Sequence, residues 1–388
     1  MVDRLPEAAW SKREDLSALV DTLGAGNARY VGGAVRDTLL GIAVKDIDLA
    51  TMLTPDIVME RLSGAGIRHV PTGIEHGTVT AVLAGGPVEI TTLRHDVTTD
   101  GRRATIAFAT KWQDDAARRD FTINALYADP LTGEIFDYFG GLEDLAARTV
   151  RFIGDARLRI HEDHLRILRY FRFQARFGSQ PAHANSENAC AELAATLQGL
   201  SRERVGMELL NTLGLPDPAP TIARMAELGV LQVVLPEAKP EALAALIEQE
   251  RKNGIGPDPV RRLAALLPAD ETLAKQIAAR FRMSGAQKKR LISAARRNDL
   301  LDNPRALAYR LGLEWALDRL LMTGRDISPL NKWEIPTFPL KGGEIVQRGI
   351  AAGPDVARIL QTVQARWIAE GFPDRARVEL ILGEEIAR

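Results

Sequence analysis

The chain is poor in cysteine and has no long apolar run, and each absence excludes a class of protein. Cys190, the single cysteine, can form neither an internal disulfide nor a multi-cysteine zinc site, which is typical of a reducing cytosol. No apolar run approaches the roughly 18 residues of a membrane span, and the first four residues lead into no apolar signal core. We therefore expect a cytoplasmic protein with no membrane segment.

The chain also lacks an excess of charge of either sign, since 50 Lys and Arg residues stand against 51 Asp and Glu residues. Its arginines are nevertheless concentrated in one segment: Arg148, Arg151, Arg157, Arg159, Arg166, Arg169, Arg172 and Arg176. A basic stripe on a neutral protein indicates an anion-binding surface, although a solvated helix face would have the same composition.

Length and periodicity predict an α+β head followed by an all-α remainder. At 388 residues the chain has room for two or three domains. In the first part, β-branched runs such as Ile47–Thr51 and Thr78–Leu83 alternate with helical patterns such as Pro55–Ser63, which predicts a mixed sheet flanked by helices. Helical periodicity then dominates, with one long helix expected over Arg157–Phe177. We expect a head at 1–141, a helical neck at 142–215 and a helical body and tail at 216–388.

Two aspartates one residue apart, Asp46 and Asp48, are the most informative feature of the head. Alternate residues of a strand share a face, so both carboxylates would point to one side while Ile47 and Leu49 enter the core. Carboxylate oxygens suit a hard divalent cation such as Mg²⁺. An isolated Asp-x-Asp is also common in solvated turns, so the pair gains meaning only from its neighbours.

The nearest neighbour is a glycine turn, Gly32-Gly33, followed by a predicted helix over Ala34–Leu40 that Gly41 would end. Glycine permits a close approach of the backbone to a ligand, and the first N–H groups of a helix attract phosphate. Glycines, helix start and aspartates together predict a site for a triphosphate and its metal.

Two later motifs supply cations. Arg118-Arg119-Asp120 offers planar guanidinium groups to phosphate oxygens, and we expect Asp120 to orient one of the two arginines. The four residues of the second motif recur every third position and would form a charged ridge on a single helix: Asp163, Arg166, Arg169 and Arg172. Ion pairing along an exposed helix is the alternative explanation for this ridge, but such pairs give only about 0.2–0.5 kcal/mol each.

The segment His95–Gln113 has little periodicity and lies between a predicted strand and a predicted helix. Polar connections beside a site often move during ligand binding, whereas many others only join two elements. We expect either a mobile loop beside the site or a simple connector.

These motifs, in this order, resemble the class II tRNA nucleotidyltransferase and bacterial poly(A) polymerase family. The set runs from Val31 to about Leu210, a little under half of the chain, and comprises Gly-Gly-x-x-Arg-Asp, Asp-x-Asp, Arg-Arg-Asp-Phe-Thr-x-Asn-Ala, Glu-Asp-x-x-Arg and Ser201-x-Glu203-Arg204. The resemblance implies a polymerase β-like nucleotidyltransferase head, a helical remainder that binds tRNA, CTP and ATP as substrates, and Mg²⁺ as cofactor. It implies no protein partner.

The resemblance also implies roles for individual residues. Asp46 and Asp48 would be catalytic and hold the magnesium, and Glu89 stands where a third carboxylate would support it. His164 departs from the family, where proline is usual at that position. The nucleotide would be bound by Gly32, Gly33, Arg36, Arg119, Asp163, Arg166, Arg169 and Arg172.

Asp163 and Arg166 would choose the base. Cytosine and adenine each present an amino donor beside a ring-nitrogen acceptor, whereas uracil and guanine present carbonyl acceptors beside N–H donors. A carboxylate accepts hydrogen bonds and a guanidinium donates them. The pair therefore fits CTP and ATP and leaves UTP and GTP with two opposed contacts.

We expect template-independent addition of CCA to the 3′ end of tRNA, with release of pyrophosphate. Poly(A) polymerase and enzymes that add only CC or only A are alternatives within the family, and the lack of positive charge from Ala50 to Glu60 favours CCA addition. A non-catalytic RNA-binding protein is the alternative from another class, but it would have lost a metal ligand. No histidine follows His183, which argues against a fused phosphohydrolase with His-Asp metal ligands.

Replacing either aspartate of the Asp-x-Asp pair, as Asp46→Ala or Asp48→Ala, should abolish nucleotidyl transfer and leave the fold intact. The physical reason is that one carboxylate removed from a two-carboxylate cation site leaves too little negative charge to hold the ion. Transfer to tRNA and circular dichroism would be measured together. A folded variant with full activity contradicts the metal assignment.

Overall fold

The computed structural model describes residues 3–100, 103–298 and 303–387, with side chains described except at 96–106. The chain forms two compact units, which we call the first unit (Met1–Thr212 with Pro220–Pro236) and the second unit (Leu213–Ala219 with Glu237–Arg388). The finer division into head, neck, and body with tail at 141 and 215 stays a prediction.

A seven-stranded mixed sheet organises the first unit. Its order is β3-β4-β5-β2-β1-β8-β9, in which β2 and β5 are parallel and all other neighbours are antiparallel. The predicted mixed sheet is thereby confirmed. The seven strands are β1 (Ala28–Val31), β2 (Ile47–Thr51), β3 (His69–Gly73), β4 (Thr78–Leu83), β5 (Gly86–Thr92), β8 (Leu126–Ala128) and β9 (Ile135–Asp137). Two further strands, β6 (Arg94–Asp100) and β7 (Arg103–Phe108), lie outside this sheet.

Strand β2 shows the expected alternation. Ile47 and Leu49 are buried, whereas Asp48 between them is half-buried on the opposite face. Asp48 is also the register partner of Glu89 on the parallel strand β5. Paired residues of neighbouring strands point to the same face, so the sheet itself brings these two carboxylates together.

The prediction of a loop over His95–Gln113 is wrong for its larger part. Strands β6 and β7 form a separate two-stranded antiparallel sheet, from the pair Arg94 and Phe108 to the pair Asp100 and Arg103. The register shifts between Asp96 and Thr98, which breaks the alternation that sequence periodicity relies on. The expected mobility of this segment stays a prediction.

Helices make up most of the remaining chain, as predicted. Those before residue 200 are α1 (Glu14–Leu23), α2 (Gly33–Leu39), α3 (Pro55–Gly64), α4 (Trp112–Ala117), α5 (Gly141–Ala146), α6 (Ala156–Glu162), α7 (Arg166–Phe177) and α8 (Ala184–Glu192). Those after it are α9 (Arg202–Leu213), α10 (Ala219–Glu227), α11 (Val230–Val234), α12 (Pro240–Lys252), α13 (Pro259–Leu266), α14 (Glu271–Arg280), α15 (Gly285–Ala295), α16 (Pro304–Leu311), α17 (Leu313–Met322), α18 (Gly342–Val346), α19 (Pro354–Ala369) and α20 (Arg375–Ile386).

The single helix expected over Arg157–Phe177 is wrong, because the chain turns at its middle. Asp163 has extended backbone angles (φ −151°, ψ 106°), and its Oδ1 accepts a hydrogen bond from the N–H of Leu165 at 3.1 Å. Such local bonding by an aspartate competes with helical hydrogen bonds. The break places Asp163 ahead of α7 instead of on its charged ridge.

Helix α7 itself is strongly two-sided. Ile167, Leu168, Tyr170 and Phe171 are buried, whereas its arginines lie at the boundary with solvent. The aromatic rings of Phe121 and Phe152 pack around Tyr170 within 7 Å of its centroid. This packing fixes the helix so that its arginine side has a defined position.

The second unit contains a buried charge network on α12, α13 and α17. Glu250, only 2 % exposed, accepts hydrogen bonds from Nε of Arg261 at 2.7 Å and from Nε of Arg262 at 2.9 Å. Arg261 also reaches Asp318, which is held in turn by Arg290. Removing one member of a buried pair leaves an uncompensated charge in a poorly solvated place.

Among the described helices, none combines the length and the apolar character that crossing a membrane would need.

Glu250→Ala should destabilise the second unit by about 3–5 kcal/mol, because both arginines lose their buried carboxylate. The midpoint of urea unfolding measures the effect. Glu248→Ala is the matched control on the same helix, since its pair with Arg251 is exposed and is worth about 1 kcal/mol or less. Equal midpoint shifts for the two variants would show that the buried network contributes no more to stability than the exposed ion pair.

Candidate active site

Three carboxylates lie on or beside strand β2. Asp46 is exposed and immediately precedes the strand, Asp48 is half-buried within it, and Glu89 lies beside Asp48 on β5. Burial, reinforced by the negative charge of Glu89 and of Asp46, raises the pKa of Asp48 to about 6, although Arg119 opposes the shift. Burial and the proximity of like charges therefore destabilise the ionised form of Asp48.

This arrangement suits a divalent cation whose coordination a substrate completes. No group of three or more His, Cys, Asp or Glu side chains within the described residues is arranged to hold a metal alone. Mg²⁺ is commonly held by one or two carboxylates together with substrate phosphates and water. The oxygen donors, the mutual repulsion of the carboxylates and their half-open position all fit that mode of binding.

The glycine turn lies at the start of α2 as predicted. Gly32 has φ 64° and ψ −116°, a left-handed conformation that side chains rarely adopt. A Cβ atom added there would lie 3.4 Å from Nη1 of Arg119 and 3.5 Å from the carbonyl oxygen of Asn124. These are ordinary contacts, so the positive φ is what favours glycine here, and the missing side chain lets the backbone approach an anion.

Arg36 is a buried cation below this turn. Its Nε donates to Oδ1 of Asp37 at 2.8 Å, and its Nη1 donates to Oδ1 of Asn124. Its guanidinium carbon lies 4.2 Å from the ring centroid of Phe177. Burial lowers the pKa of Arg36, while Asp37 favours the charged form, and the contacts hold the side chain in one orientation.

Arg118 and Arg119 are oriented by Asp115, and the prediction that Asp120 orients one of them is wrong. Nε of Arg118 donates to Asp115 at 2.8 Å, and Nη2 of Arg119 does so at 3.2 Å. The reason is helical spacing, since Asp115 lies on α4 three and four residues before them. Sequence spacing could have identified this carboxylate.

Asp120 instead binds Arg169. Its Oδ2 accepts hydrogen bonds from Nε and Nη2 of Arg169 at 2.8 and 2.6 Å, and its Oδ1 accepts from Nδ2 of Asn124 at 2.9 Å. Burial acts to raise the pKa of Asp120, but the charge of Arg169 and these hydrogen bonds outweigh it and hold the pKa below its ordinary value. Asp120 therefore joins the head motif to helix α7.

Asp163 and Arg166 lie near each other but have separate protein partners. Oδ2 of Asp163 accepts a hydrogen bond from Nη2 of Arg204 at 2.7 Å. Arg166 donates to Glu162 and to the carbonyl oxygens of Arg159 and Arg118. A carboxylate offers about four acceptor positions and a guanidinium five donors, so both groups retain bonding capacity for a ligand.

One cavity of about 450 Å³ collects most of the predicted site residues. Six arginines and three aspartates are among the side chains of its wall, so positive charge prevails there. The lining comprises Gly32, Gly33, Arg36, Asp48, Arg118, Arg119, Asp120, Asn124, Asp163, Leu165, Arg166, Arg169, Phe173 and Arg204.

Three predicted residues lie outside this lining. Asp46 and Glu89 are exposed beside Asp48, and Arg172 donates through Nε to Oε2 of Glu208 at 2.7 Å. Asn124 and Arg204 line the cavity although no site role was predicted for them, and Arg118 lines it beside Arg119. The motifs contained all three, but only the tertiary arrangement turns them toward one space.

A mixed sheet that presents clustered carboxylates beside an arginine-lined cavity is the arrangement expected of a nucleotidyltransferase. Comparisons with known proteins support and narrow this class. The family model described as "Poly A polymerase head domain" matches residues 28–151. The model described as "Probable RNA and SrmB- binding site of polymerase A" matches residues 183–241.

Full-length relatives extend the match over nearly the whole chain. The protein named CCA tRNA nucleotidyltransferase 1, mitochondrial, of Homo sapiens is 38% identical over 368 residues, which cover 89% of this chain and 83% of the relative. The CCA-adding enzyme of Leuconostoc mesenteroides is 31% identical over 385 residues, covering 94% of this chain and 93% of the relative. The chain belongs to the tRNA nucleotidyltransferase and poly(A) polymerase family.

The fold agrees with that assignment. The crystal structure of the Bacillus stearothermophilus CCA-adding enzyme in complex with CTP superimposes with a TM-score of 0.74 at 26% identity. The match covers 97% of this chain and 98% of that structure. The polymerase-type head with a helical remainder, predicted from sequence, is thereby confirmed.

In metal-free protein at pH 7.5, Asp48→Asn should raise the free energy of unfolding by about 1–3 kcal/mol. The pKa of Asp48 is about 6 in the folded protein and about 3.9 in an unfolded chain. Between these values the folded state binds more protons, so stability falls as pH rises through this window. Asp48→Asn cannot ionise and therefore avoids this loss of stability. The difference in the free energy of unfolding between the variant and the parent should disappear as the pH approaches 4.

Thermal unfolding in EDTA at several pH values measures the effect. Asp21→Asn is the control, because its carboxylate is exposed on α1 and has no part in the pKa shift of Asp48, so this change should alter stability little. An Asp48→Asn protein no more stable than the parent at pH 7.5 would contradict the electrostatic strain at this site.

Proposed function

We propose that this protein adds CCA to the 3′ end of tRNA from CTP and ATP and releases pyrophosphate. One observation carries the proposal: a single cavity has the carboxylate Asp48 in its wall together with Asp163 and Arg166, with arginines around them. The carboxylate proposed for catalysis and the two residues proposed for base selection can therefore contact the same bound nucleotide. The named relatives support the same reaction.

Asp46 and Asp48 are the proposed catalytic and metal-binding residues, and Glu89 supports them from β5. Magnesium suits this all-oxygen donor set. When bound, it stabilises negative charge on phosphate oxygens as a Lewis acid. The protein's own contribution is to place the two aspartates on the side of the sheet that carries Glu89.

The triphosphate is proposed to lie against the glycine turn. Gly32 and Gly33 leave the backbone accessible, while Arg119 supplies a guanidinium beside Gly32. Arg36 contributes a fixed buried charge behind them. Fixed cations stabilise a triphosphate and the charge that develops on departing pyrophosphate without having to reorganise.

The base is proposed to lie against Asp163 and Arg166. Asp163 accepts from the amino group of cytosine or adenine, and Arg166 donates to the adjacent ring nitrogen. Arg204 holds Oδ2 of Asp163, which supports one orientation of the carboxylate. Arg169 lines the same cavity, and Arg172 would act through Glu208, which it shares with Arg169.

A poly(A) polymerase is the second candidate, because the matching head model is described by that activity. Enzymes that add only CC or only A share the same motifs. A non-catalytic RNA-binding protein would need neither clustered carboxylates nor a cation-lined cavity. We also propose that the helical remainder holds tRNA through its shape and phosphates, and that the protein acts in the cytoplasm.

The function is tested by offering a tRNA that lacks its 3′ end, with each nucleoside triphosphate alone and in mixture, and sequencing the products. Addition that ends after C-C-A is the expected result. A long A tail would establish the poly(A) polymerase instead, and C-C alone or A alone would establish a partial enzyme. No addition with bound RNA would indicate the non-catalytic protein.

Asp163→Ala should relax discrimination against UTP and GTP by about tenfold or more, because the acceptor that opposes their base edges is gone. Misincorporation in the same assay measures it. Glu192→Ala, which removes an exposed partner of Arg157, serves as the control and should leave selectivity unchanged. Unaltered selectivity in Asp163→Ala would refute the assignment of base choice to this carboxylate.

A further inference from the structure

Three side chains behind the cavity form a closed hydrogen-bonded ring. The hydroxyl of Tyr127 donates to Oδ2 of Asp115 at 2.6 Å and accepts from Nε of Arg119 at 3.1 Å. Nη2 of Arg119 donates to the same Oδ2 at 3.2 Å. Each of the three groups is therefore held by the other two.

Two members of the ring, Asp115 and Tyr127, lie in the protein interior. Tyr127 on β8 is completely buried, and Asp115 on α4 is 1% exposed. The ring of Tyr127 packs edge-on against Trp112 and Tyr138, with centroids 5.8 and 6.1 Å away. Neither Asp115 nor Tyr127 is part of the cavity wall, so any effect on a ligand must pass through the arginines.

Asp115 holds the second arginine as well. Its Oδ1 accepts a hydrogen bond from Nε of Arg118 at 2.8 Å and forms an ion pair with Nη2 at 2.6 Å. Burial acts to raise the pKa of Asp115, but the charges of Arg119 and Arg118 outweigh it and hold the pKa at about 2. One ionised carboxylate thus anchors two cations that line the cavity.

The ring leaves one edge of Arg119 for a ligand. Nε and Nη2 are bonded to Tyr127 and Asp115, whereas Nη1 carries no hydrogen bond to any described residue and lies at Gly32. A free arginine side chain loses rotamer entropy when it binds phosphate. An arginine already held by its other nitrogens has lost that freedom before the ligand arrives.

We propose that Asp115 and Tyr127 are positioning residues that present Arg118 and Arg119 to the triphosphate of the incoming nucleotide. The proposal rests on the proposed function, because it assigns the bound anion to CTP or ATP. It predicts that disturbing the ring weakens contacts with the outer phosphates and leaves base recognition at Asp163 unchanged.

The test compares binding of CTP and of CMP to the full-length protein in the presence of Mg²⁺, by isothermal titration calorimetry. Tyr127→Phe removes one hydroxyl and keeps the buried ring, and Asp115→Asn removes the shared charge. Tyr138→Phe is the matched control, since its hydroxyl also accepts from an arginine, Arg29, at 2.9 Å, but Arg29 lies outside the cavity wall.

Tyr127→Phe and Asp115→Asn should each weaken CTP binding by about tenfold or more, the effect of losing one hydrogen bond to a charged group. CMP binding should change by less than about twofold, because CMP lacks the outer phosphates. In transfer assays the KM for CTP and for ATP should rise together, with selectivity against UTP and GTP unchanged. Tyr138→Phe should match the parent throughout.

Equal losses for CTP and CMP would overturn the proposal, because they would indicate a general defect of the fold. Unchanged CTP binding in Tyr127→Phe would overturn it too, and this variant decides the matter even if Asp115→Asn does not fold. If the parent binds CTP but does not extend tRNA, the proposed function fails while the CTP and CMP comparison still decides the role of the ring.

Discussion

Mutual repulsion among the arginines of one cavity is the constraint on which the site depends. Six guanidinium groups share its wall, and each would move toward water if nothing held it. Carboxylates in the cavity wall or behind it prevent this: Asp37 for Arg36, Asp115 for Arg118 and Arg119, Glu162 for Arg166, Asp120 for Arg169, and Asp163 for Arg204. The cations are therefore fixed in place before a nucleotide arrives.

Negative charge is instead concentrated around Asp48, at the proposed metal site. Asp48 has negative neighbours and is partly removed from water, so its carboxylate is destabilised. A cation held between Asp46, Asp48 and phosphate oxygens would relieve that repulsion. A metal-bound triphosphate carries charge of both signs, so the ligand we propose for this site would compensate both the arginines and the carboxylates.

Much of this could be predicted from local pattern. The alternation of Ile47, Asp48 and Leu49 defined a strand with one carboxylate face, and the glycines before α2 defined a turn, because both depend on residues close in sequence. Local pattern failed where a side chain overrode it. Asp163 ended a helix through its own hydrogen bond to Leu165, and a register shift hid the strands of the β6–β7 sheet.

The sequence by itself determined the kinds of groups present and their order: the aspartate pair, the glycine turn, the arginine motifs and the mixed sheet that displays them. Only the tertiary structure decided the partners. Arg169 bonds Asp120 across 49 positions, Arg204 bonds Asp163 across 41 positions, and Tyr127 closes a ring with Asp115. Hydrogen bonds and ion pairs depend on distance in space, and sequence spacing reports that distance only within a helix turn or along a strand.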